Sequence, residues 1–239
     1  MYFPDAFPVA ILAGGLATRL RPISEMIPKA LIKVAGRPFI FRQLDYLRFQ
    51  GITRVVLCIG YLGEMIQVAV GDGSAFGLDV SYSSDGPKLL GTGGTLRRAL
   101  PLLGKQFFVL YGDSYLPCNF GEVQRDFVEC GQPAVMTVMH NGDRWDKSNV
   151  LFVDGRIIEY NKHSPGPRME YIDYGLGVLS ADVLGGYPAD LPFDLADVYQ
   201  ELSLVGKLAG HEVEERFYEI GSYEGLGEAE AYFSTQEKL

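Results

Sequence analysis

The sequence predicts an α/β fold, a mixed and mostly parallel sheet with helices on both faces, to which later strands add an antiparallel part. Three observations predict it. Short apolar runs alternate with helical patterns through the first half of the chain. The first of those runs ends in Gly14-Gly15, a buried strand opening into a loop. The second half changes to closely spaced strand-like runs, and the 29 glycines and 13 prolines are scattered, which suits many short connections rather than one hinge. Strand–helix–strand alternation favours parallel strands covered on both sides.

The elements follow in order. Val9–Ala13 reads as the first strand. A helix spans Pro38 to Gln50, with Ile40, Phe41, Leu44 and Leu47 on one face and Gly51 as its stop. A strand at Arg54–Ile59, a helix near Gly63–Val70 and a strand at Leu78–Ser83 come next. Then follow a helix from Thr95 to Leu103 and a strand at Gln106–Tyr111. Ala134–His140, Asn149–Val153, Arg156–Tyr160 and Ile172–Leu179 are strand-like, with a turn signal at Asp154-Gly155. A helix from Leu195 to Lys207, a strand at Glu212–Tyr218 and a closing helix from Tyr223 to Tyr232 complete the expectation. We find no internal repeat or linker, so the chain reads as one domain whose later part forms a lid over a ligand.

Composition excludes several classes. With 47% hydrophobic and 21% charged residues the chain is globular, not disordered. A net charge of −9 argues against nucleic-acid or anionic-membrane partners. Cys58, Cys118 and Cys130 are far apart and outside any CxxC pair, which argues against disulfides or zinc and for a reducing cytoplasm. No apolar run reaches a membrane span, and the start Met-Tyr-Phe-Pro-Asp lacks a basic leader, so no membrane partner is expected. The sequence is compatible with a homo-oligomer.

Charge is unevenly placed. Six basic residues against the single Glu25 lie between Arg19 and Arg42, a local net of +5 against −14 elsewhere. By itself such a stretch reads as a solvated basic face. Joined to Gly14-Gly15, it reads as the mouth of a polyanion site, because glycines let backbone N–H groups approach phosphates and cations neutralise them. Arg19 offers a planar fork of donors to phosphoryl oxygens, and Lys29, after Pro28, a second point charge. Gly112-Asp113 follows a strand at its carboxyl end, where an aspartate suits Mg²⁺, although alone it reads as a turn cap. No GxGxxG or GxxxxGK[ST] pattern is present, which argues against a dinucleotide oxidoreductase or a P-loop enzyme. Gly-Asp-Ser-Tyr-Leu has no downstream D-x-x-H, and none of His140, His163 or His211 sits near another catalytic-looking group, so serine hydrolysis is not expected.

The strings Leu12-Ala-Gly-Gly-Leu-Ala-Thr-Arg-Leu-Arg-Pro22 and Ile27-Pro28-Lys29-Ala-Leu-Ile-Lys-Val-Ala-Gly-Arg-Pro38 resemble the signature of the sugar-1-phosphate nucleotidyltransferases. Leu90-Gly-Thr-Gly-Gly-Thr-Leu96, Gly112-Asp113, Asn161-Lys162, Gly175 and Tyr218-Glu-Ile-Gly221 agree in order. The resemblance implies a Rossmann-like domain over 1–239, with a nucleotide-binding part of about 1–115 and a sugar-binding part of about 116–239. It implies catalytic roles for Arg19, Lys29 and Asp113, and nucleotide contacts from Leu12, Ala13, Gly14, Gly15, Thr18, Gly93 and Gly94. Asn161, Lys162, Asp173 and Gly175 would bind the sugar and its phosphate, and Asp113 with Glu219 would hold Mg²⁺. The implied substrates are an NTP and a sugar-1-phosphate. LGTGGT looks most like the mannose- or heptose-1-phosphate guanylyltransferases, which makes GTP the expected nucleotide, with UTP, dTTP or CTP as alternatives.

The match departs on the sugar side. Asn161 replaces the usual glutamate, Glu219 the usual aspartate, and Asp173 stands where many members carry asparagine. Arg144-Trp-Asp-Lys-Ser-Asn149 replaces a Tyr-Gly pair. These changes predict a divergent sugar pocket. The chain ends after the closing helix without a hexapeptide repeat, so acyltransferase activity is not expected. A non-catalytic nucleotide-sugar-binding module is the competing class, but it would be expected to lack one of the signature cations.

Overall fold

The computed structural model of the chain describes residues 6–16 and 18–236. The opening Met-Tyr-Phe-Pro-Asp, Ala17 of the glycine string and the final Leu239 lie outside the described residues.

Chain order begins with β1 (Val9–Leu12), a short helix α1 (Ile23–Met26) and the two-residue strands β2 (Lys33–Val34) and β3 (Arg37–Pro38). There follow α2 (Phe39–Phe49), β4 (Arg54–Ile59), α3 (Gly63–Val70), β5 (Asp79–Ser84), α4 (Gly91–Leu103), β6 (Gln106–Tyr111) and β7 (Ser114–Tyr115). The second half comprises α5 (Phe120–Cys130), β8 (Ala134–His140), β9 (Val150–Val153), β10 (Arg156–Tyr160), β11 (Tyr171–Ser180) and α6 (Asp182–Gly185). It ends with α7 (Leu195–Leu204), β12 (Leu208–Glu212), β13 (Tyr218–Glu219) and α8 (Tyr223–Gln236). Among the described residues no helix is long and apolar enough to cross a membrane.

Nine strands form one sheet in the order β5-β4-β1-β6-β11-β8-β12-β10-β9. β5, β4, β1 and β6 are mutually parallel, β11 runs antiparallel to β6 and β8, and β10 runs antiparallel to β12 and β9. Only β11 and β10 therefore run against the rest. Within the added part β12 joins β8 in parallel.

Alternation along the strands divides the core. Val9 and Ile11 of β1, Val55 and Leu57 of β4 and Phe108 and Leu110 of β6 face α2, α3 and α5. Ala10, Val56, Cys58, Phe107 and Val109 face α4 and α7 on the other side. A period of two in each strand, with apolar residues at both phases, is what a sheet covered on both faces requires.

Three expectations change. The strand expected at Glu212–Tyr218 lies earlier, at Leu208–Glu212. Gly206, at φ +69°, ends α7 at Leu204 rather than Lys207 and frees Leu208 to pair with Ala134. α4 begins at Gly91 rather than Thr95, because Gly93 and Gly94 donate to the Phe193 carbonyl and enter the first turn. α5 was not anticipated, although Asn119 accepts from the N–H groups of Gly121 and Glu122 as an N-cap, and Phe120, Val123 and Phe127 share its buried face.

Order reverses between β1 and β6. The chain leaves β1 toward β4 and β5, then crosses back to the far side of β1 as β6. Carboxyl ends at such a switch point leave a crevice for a ligand. The strand ends can meet there only without side chains. A Cβ on Gly112 would lie 2.9 Å from the Leu12 carbonyl oxygen and 3.0 Å from the Ala13 Cα.

Candidate active site

Two adjoining clefts open at this edge. The first is lined by Leu12, Ala13, Gly14, Gly15 and Lys29, by Asp85, Leu89, Gly91, Thr92 and Thr95, and by Tyr111 and Asp113. The second includes Arg19, Lys162, Asp173, Gly175 and Glu219 and again reaches Tyr111 and Asp113. Asp113 therefore stands where the two clefts meet.

A small clip holds the charged groups at that junction. β13 pairs antiparallel with β7, setting Glu219 opposite Ser114, and the Ile220 N–H donates to the Asp113 carbonyl at 2.9 Å. Residues 106 positions apart in sequence thus bring two carboxylates together. Lys29 Nζ donates to Asp113 Oδ2 at 2.7 Å, both side chains being largely shielded from solvent. A point built as Cβ on Gly221 lies 3.1 Å from Arg19 Nη2, 3.4 Å from Glu219 Oε1 and 3.5 Å from Asp113 Oδ2. Two cations and two carboxylates therefore converge on one small volume. Burial, reinforced by Asp113, raises the Glu219 pKa above the ordinary glutamate value, with Arg19 and Lys29 opposing. Among the described residues no group of three or more histidine, cysteine or acidic side chains is placed to hold a metal. Two carboxylates do suit Mg²⁺, which takes few protein oxygens and completes its shell with water and phosphate.

On the sugar side β11 changes register against β8 between Asp173 and Gly177. Irregular pairing of this kind turns residues out of the ladder, often beside sites. Here it presents Asp173, Tyr174 and Gly175 to the second cleft, with Gly175 at φ +101°. Asp173 Oδ1 accepts from the Gly175 N–H at 2.9 Å. Burial pushes the Asp173 carboxyl up to about 6, with the Gly175 hydrogen bond and Lys162 pulling the other way.

The structure does not bring every expected residue to these walls. Gly93 and Gly94 are buried away from the first cleft, where a Cβ on Gly93 would lie 2.3 Å from the Phe193 ring and one on Gly94 2.9 Å from the Leu191 carbonyl oxygen. Their role in the fold is to seat α4 against the loop before α7. Thr92 completes that seat, donating to Asp194 Oδ1 at 2.5 Å and accepting from the Leu195 N–H at 2.8 Å. Gly93→Ala is accordingly expected to cost about 1–3 kcal/mol of stability through overpacking. A urea denaturation midpoint equal to that of the unmodified protein would show that Phe193 yields freely. Thr18 sits exposed on a short turn with Arg19 and lines neither cleft. Asn161 also lies outside the cleft lining, its Oδ1 accepting from the Ser164 N–H at 2.8 Å to close a turn. Lys162, its neighbour, is the one that reaches the cleft.

Sequence reasoning missed Asp85 and Tyr111. Asp85 is 4% exposed, accepting from Thr95 Oγ1 at 2.6 Å and from the Leu90 N–H at 3.2 Å. Both residues stand at the carboxyl ends of parallel strands, β5 and β6, a placement that could have marked them.

Residues 9–148 match the model of the nucleotidyl transferase family. The chain belongs to that family. Among its relatives, the N-acetylmuramate alpha-1-phosphate uridylyltransferase of Neisseria meningitidis is 42% identical over 111 residues, 46% of this chain and 48% of that one. The D-glycero-alpha-D-manno-heptose 1-phosphate guanylyltransferase of Campylobacter jejuni is 28% identical over 80% of this chain and 84% of its own length. The chain thus spans about half the length of the first and most of the second. Among solved structures, HddC from Yersinia pseudotuberculosis complexed with GMP-PN superposes with a TM-score of 0.78 at 26% identity, covering 95% of this chain and 99% of that one. The fold is thus the Rossmann-like α/β fold of nucleotidyltransferases.

Proposed function

We propose that the protein transfers a nucleoside monophosphate from an NTP to a sugar-1-phosphate, giving an NDP-sugar and pyrophosphate, a step of nucleotide-sugar biosynthesis. The observation that carries this reading is the meeting of two clefts at Asp113, Lys29, Arg19 and Glu219. A nucleotide in the first cleft and a sugar phosphate in the second would face each other there. The sugar phosphate oxygen attacks the α-phosphorus, the bond to the bridging oxygen of the β-phosphate breaks, and pyrophosphate leaves with that electron pair. In-line phosphoryl chemistry asks the protein mainly for position and charge neutralisation. Gly15, open to solvent, gives backbone access to the triphosphate. Lys29, fixed by Asp113, holds a cation beside it, and Arg19 neutralises charge that grows as the leaving group departs. Lys162 binds the attacking phosphate, a desolvated anion that needs a cation. Asp113 and Glu219 are the residues that would hold Mg²⁺, which would screen the phosphate oxygens from one another.

GTP with a mannose- or heptose-type sugar-1-phosphate is the preferred reading. The relatives named for heptose and for a GMP-PN complex support it. The uridylyltransferase relative keeps UTP as the runner-up, with dTTP and CTP behind it. Arg19, Lys29, Asp113 and Lys162 are all present, which favours catalysis over a binding-only module.

Pyrophosphate release across a grid of the four NTPs and of glucose-, mannose-, heptose- and amino-sugar 1-phosphates tests this reading. Lys162→Ala is expected to raise KM for every accepted sugar by roughly tenfold or more, the worth of a hydrogen bond to a charged group. A pyrimidine nucleotide more than tenfold better than GTP would remove the guanylyl assignment and leave the reaction class standing. Absence of pyrophosphate release in every cell of the grid would remove the reaction class too.

A further inference from the structure

The second cleft carries more cationic donors than this reaction uses. Lys162, Lys29 and Arg19 account for the phosphates of the two substrates. Arg144 and Arg216 remain, and both line that cleft. They are held on an aromatic support. Their guanidinium carbons stand 4.8 Å and 5.2 Å from the centre of the Trp145 ring, and that of Arg216 is 5.3 Å from the Tyr218 ring. Stacking on an aromatic face fixes a guanidinium while leaving its in-plane donors free.

The loop bearing Arg144 and Trp145 is locked to itself. Asn141, buried, donates to the Asp146 carbonyl at 2.7 Å and to Ser148 Oγ at 3.0 Å, while its Oδ1 accepts from the Trp145 N–H at 3.2 Å. The Ser148 N–H donates to Asp143 Oδ1 at 2.7 Å. A loop held this way presents its side chains in one place.

Donors remain unpaired on both arginines. Among the described residues the Arg144 guanidinium has no hydrogen-bonded or ion-pair partner. Arg216 donates from Nη2 to Glu228, yet its Nε is buried without an acceptor. A buried N–H left unpaired is costly until an acceptor arrives. The cleft is also lined by Asp113, Asp146, Asp173, Glu219, Glu224 and Glu228, none of which is bonded to Arg144 and of which only Glu228 pairs with Arg216 among the described residues. Asp146 accepts from the Lys147 N–H, Asp173 from the Gly175 N–H, and Glu224 sits in the first turn of α8, where a helix favours negative charge.

We propose that Arg144 and Arg216, stacked on Trp145, form a second anion subsite, so that the sugar-1-phosphate accepted here carries a further oxyanion on its ring. This rests on the sugar-1-phosphate reading above. A guanidinium fork matches two oxygens of either a carboxylate or a phosphate, and its fixed support reduces the ordering lost on binding.

Matched substrate pairs test it, each supplied with the NTP that performs best in the grid. Glucuronic acid 1-phosphate against glucose 1-phosphate is the carboxylate arm. Mannose 1,6-bisphosphate against mannose 1-phosphate is the phosphate arm. In at least one arm the acidic member is expected to exceed its neutral partner roughly tenfold in kcat/KM, through a lower KM. Arg144→Ala, at an exposed loop position, is expected to bring that ratio toward one. Arg216→Lys, which keeps the charge beside Glu228 and loses the fork, should lower it as well. Preference for the neutral sugar in both arms, or a ratio that survives Arg144→Ala, overturns the subsite. Failure of every sugar-1-phosphate, neutral and acidic, to release pyrophosphate is a different result and overturns the reaction reading itself.

Discussion

Arg19→Ala is expected to lower kcat by roughly 10²–10³, the loss typical of removing one preorganised donor to transition-state charge. Two features of the site set the expectation. Arg19 Nη2 lies 3.1 Å from the point where Asp113 and Glu219 also converge, so its guanidinium reaches the junction of the clefts. The residue is exposed, on a three-residue turn. Loss of the side chain should therefore leave the melting temperature near that of the unmodified protein, as for most surface substitutions. The deficit should appear in kcat at saturating substrates, because the charge that Arg19 meets grows as pyrophosphate departs. Arg19→Lys should recover only part of it, since an ammonium cannot reproduce the planar fork. Near-normal turnover in a folded Arg19→Ala protein would remove Arg19 from the chemistry.

The parallel half of the sheet was legible because its strands are buried on both faces and read as continuous apolar runs bounded by glycine. β1, β4 and β6 lie within a residue of their expected limits for that reason. The region from Lys207 to Tyr218 was less legible. Its strand is only five residues long, with Ala209, Gly210 and His211 at its centre, and its position is decided by Gly206 turning the chain out of α7. Local pattern has no means of weighing that turn against the strand formers Val213, Phe217 and Tyr218 further on. The same division holds at the site. Lys29 and Asp113 could be read from short motifs, but the clip that brings Glu219 beside them is a two-residue strand pair joining distant parts of the chain. Gly93 and Gly94 show the opposite error. Glycine invites a ligand-contact reading, whereas here the missing Cβ makes room for Phe193. A sequence shows that a position needs closeness; only the fold shows to what.

Asp113→Asn is expected to reduce turnover below detection, a loss greater than that of Arg19→Ala because two functions fail together. The first concerns Lys29. Its ammonium is held at 2.7 Å by Asp113 Oδ2 in a place largely shielded from solvent. An amide keeps the shape but not the charge, leaving the cation free to swing from the position it must keep beside the triphosphate. The second concerns the divalent cation. With Glu219 as the other carboxylate, the neutral amide leaves a single anionic ligand, and Mg²⁺ held by few protein oxygens has little to lose. Excess chelator should likewise abolish turnover of the unmodified protein, and added Mg²⁺ should restore it. Glu219→Asp should be tolerated, because the charge stays and only one methylene is removed. Full activity in chelator would remove the metal assignment while leaving the Lys29 argument intact, and Asp113→Asn would then be expected to retain a reduced but measurable rate. If Glu219→Ala matched the unmodified protein, the second ligand alone would have to be withdrawn, and Asp113 would remain the residue on which both clefts depend.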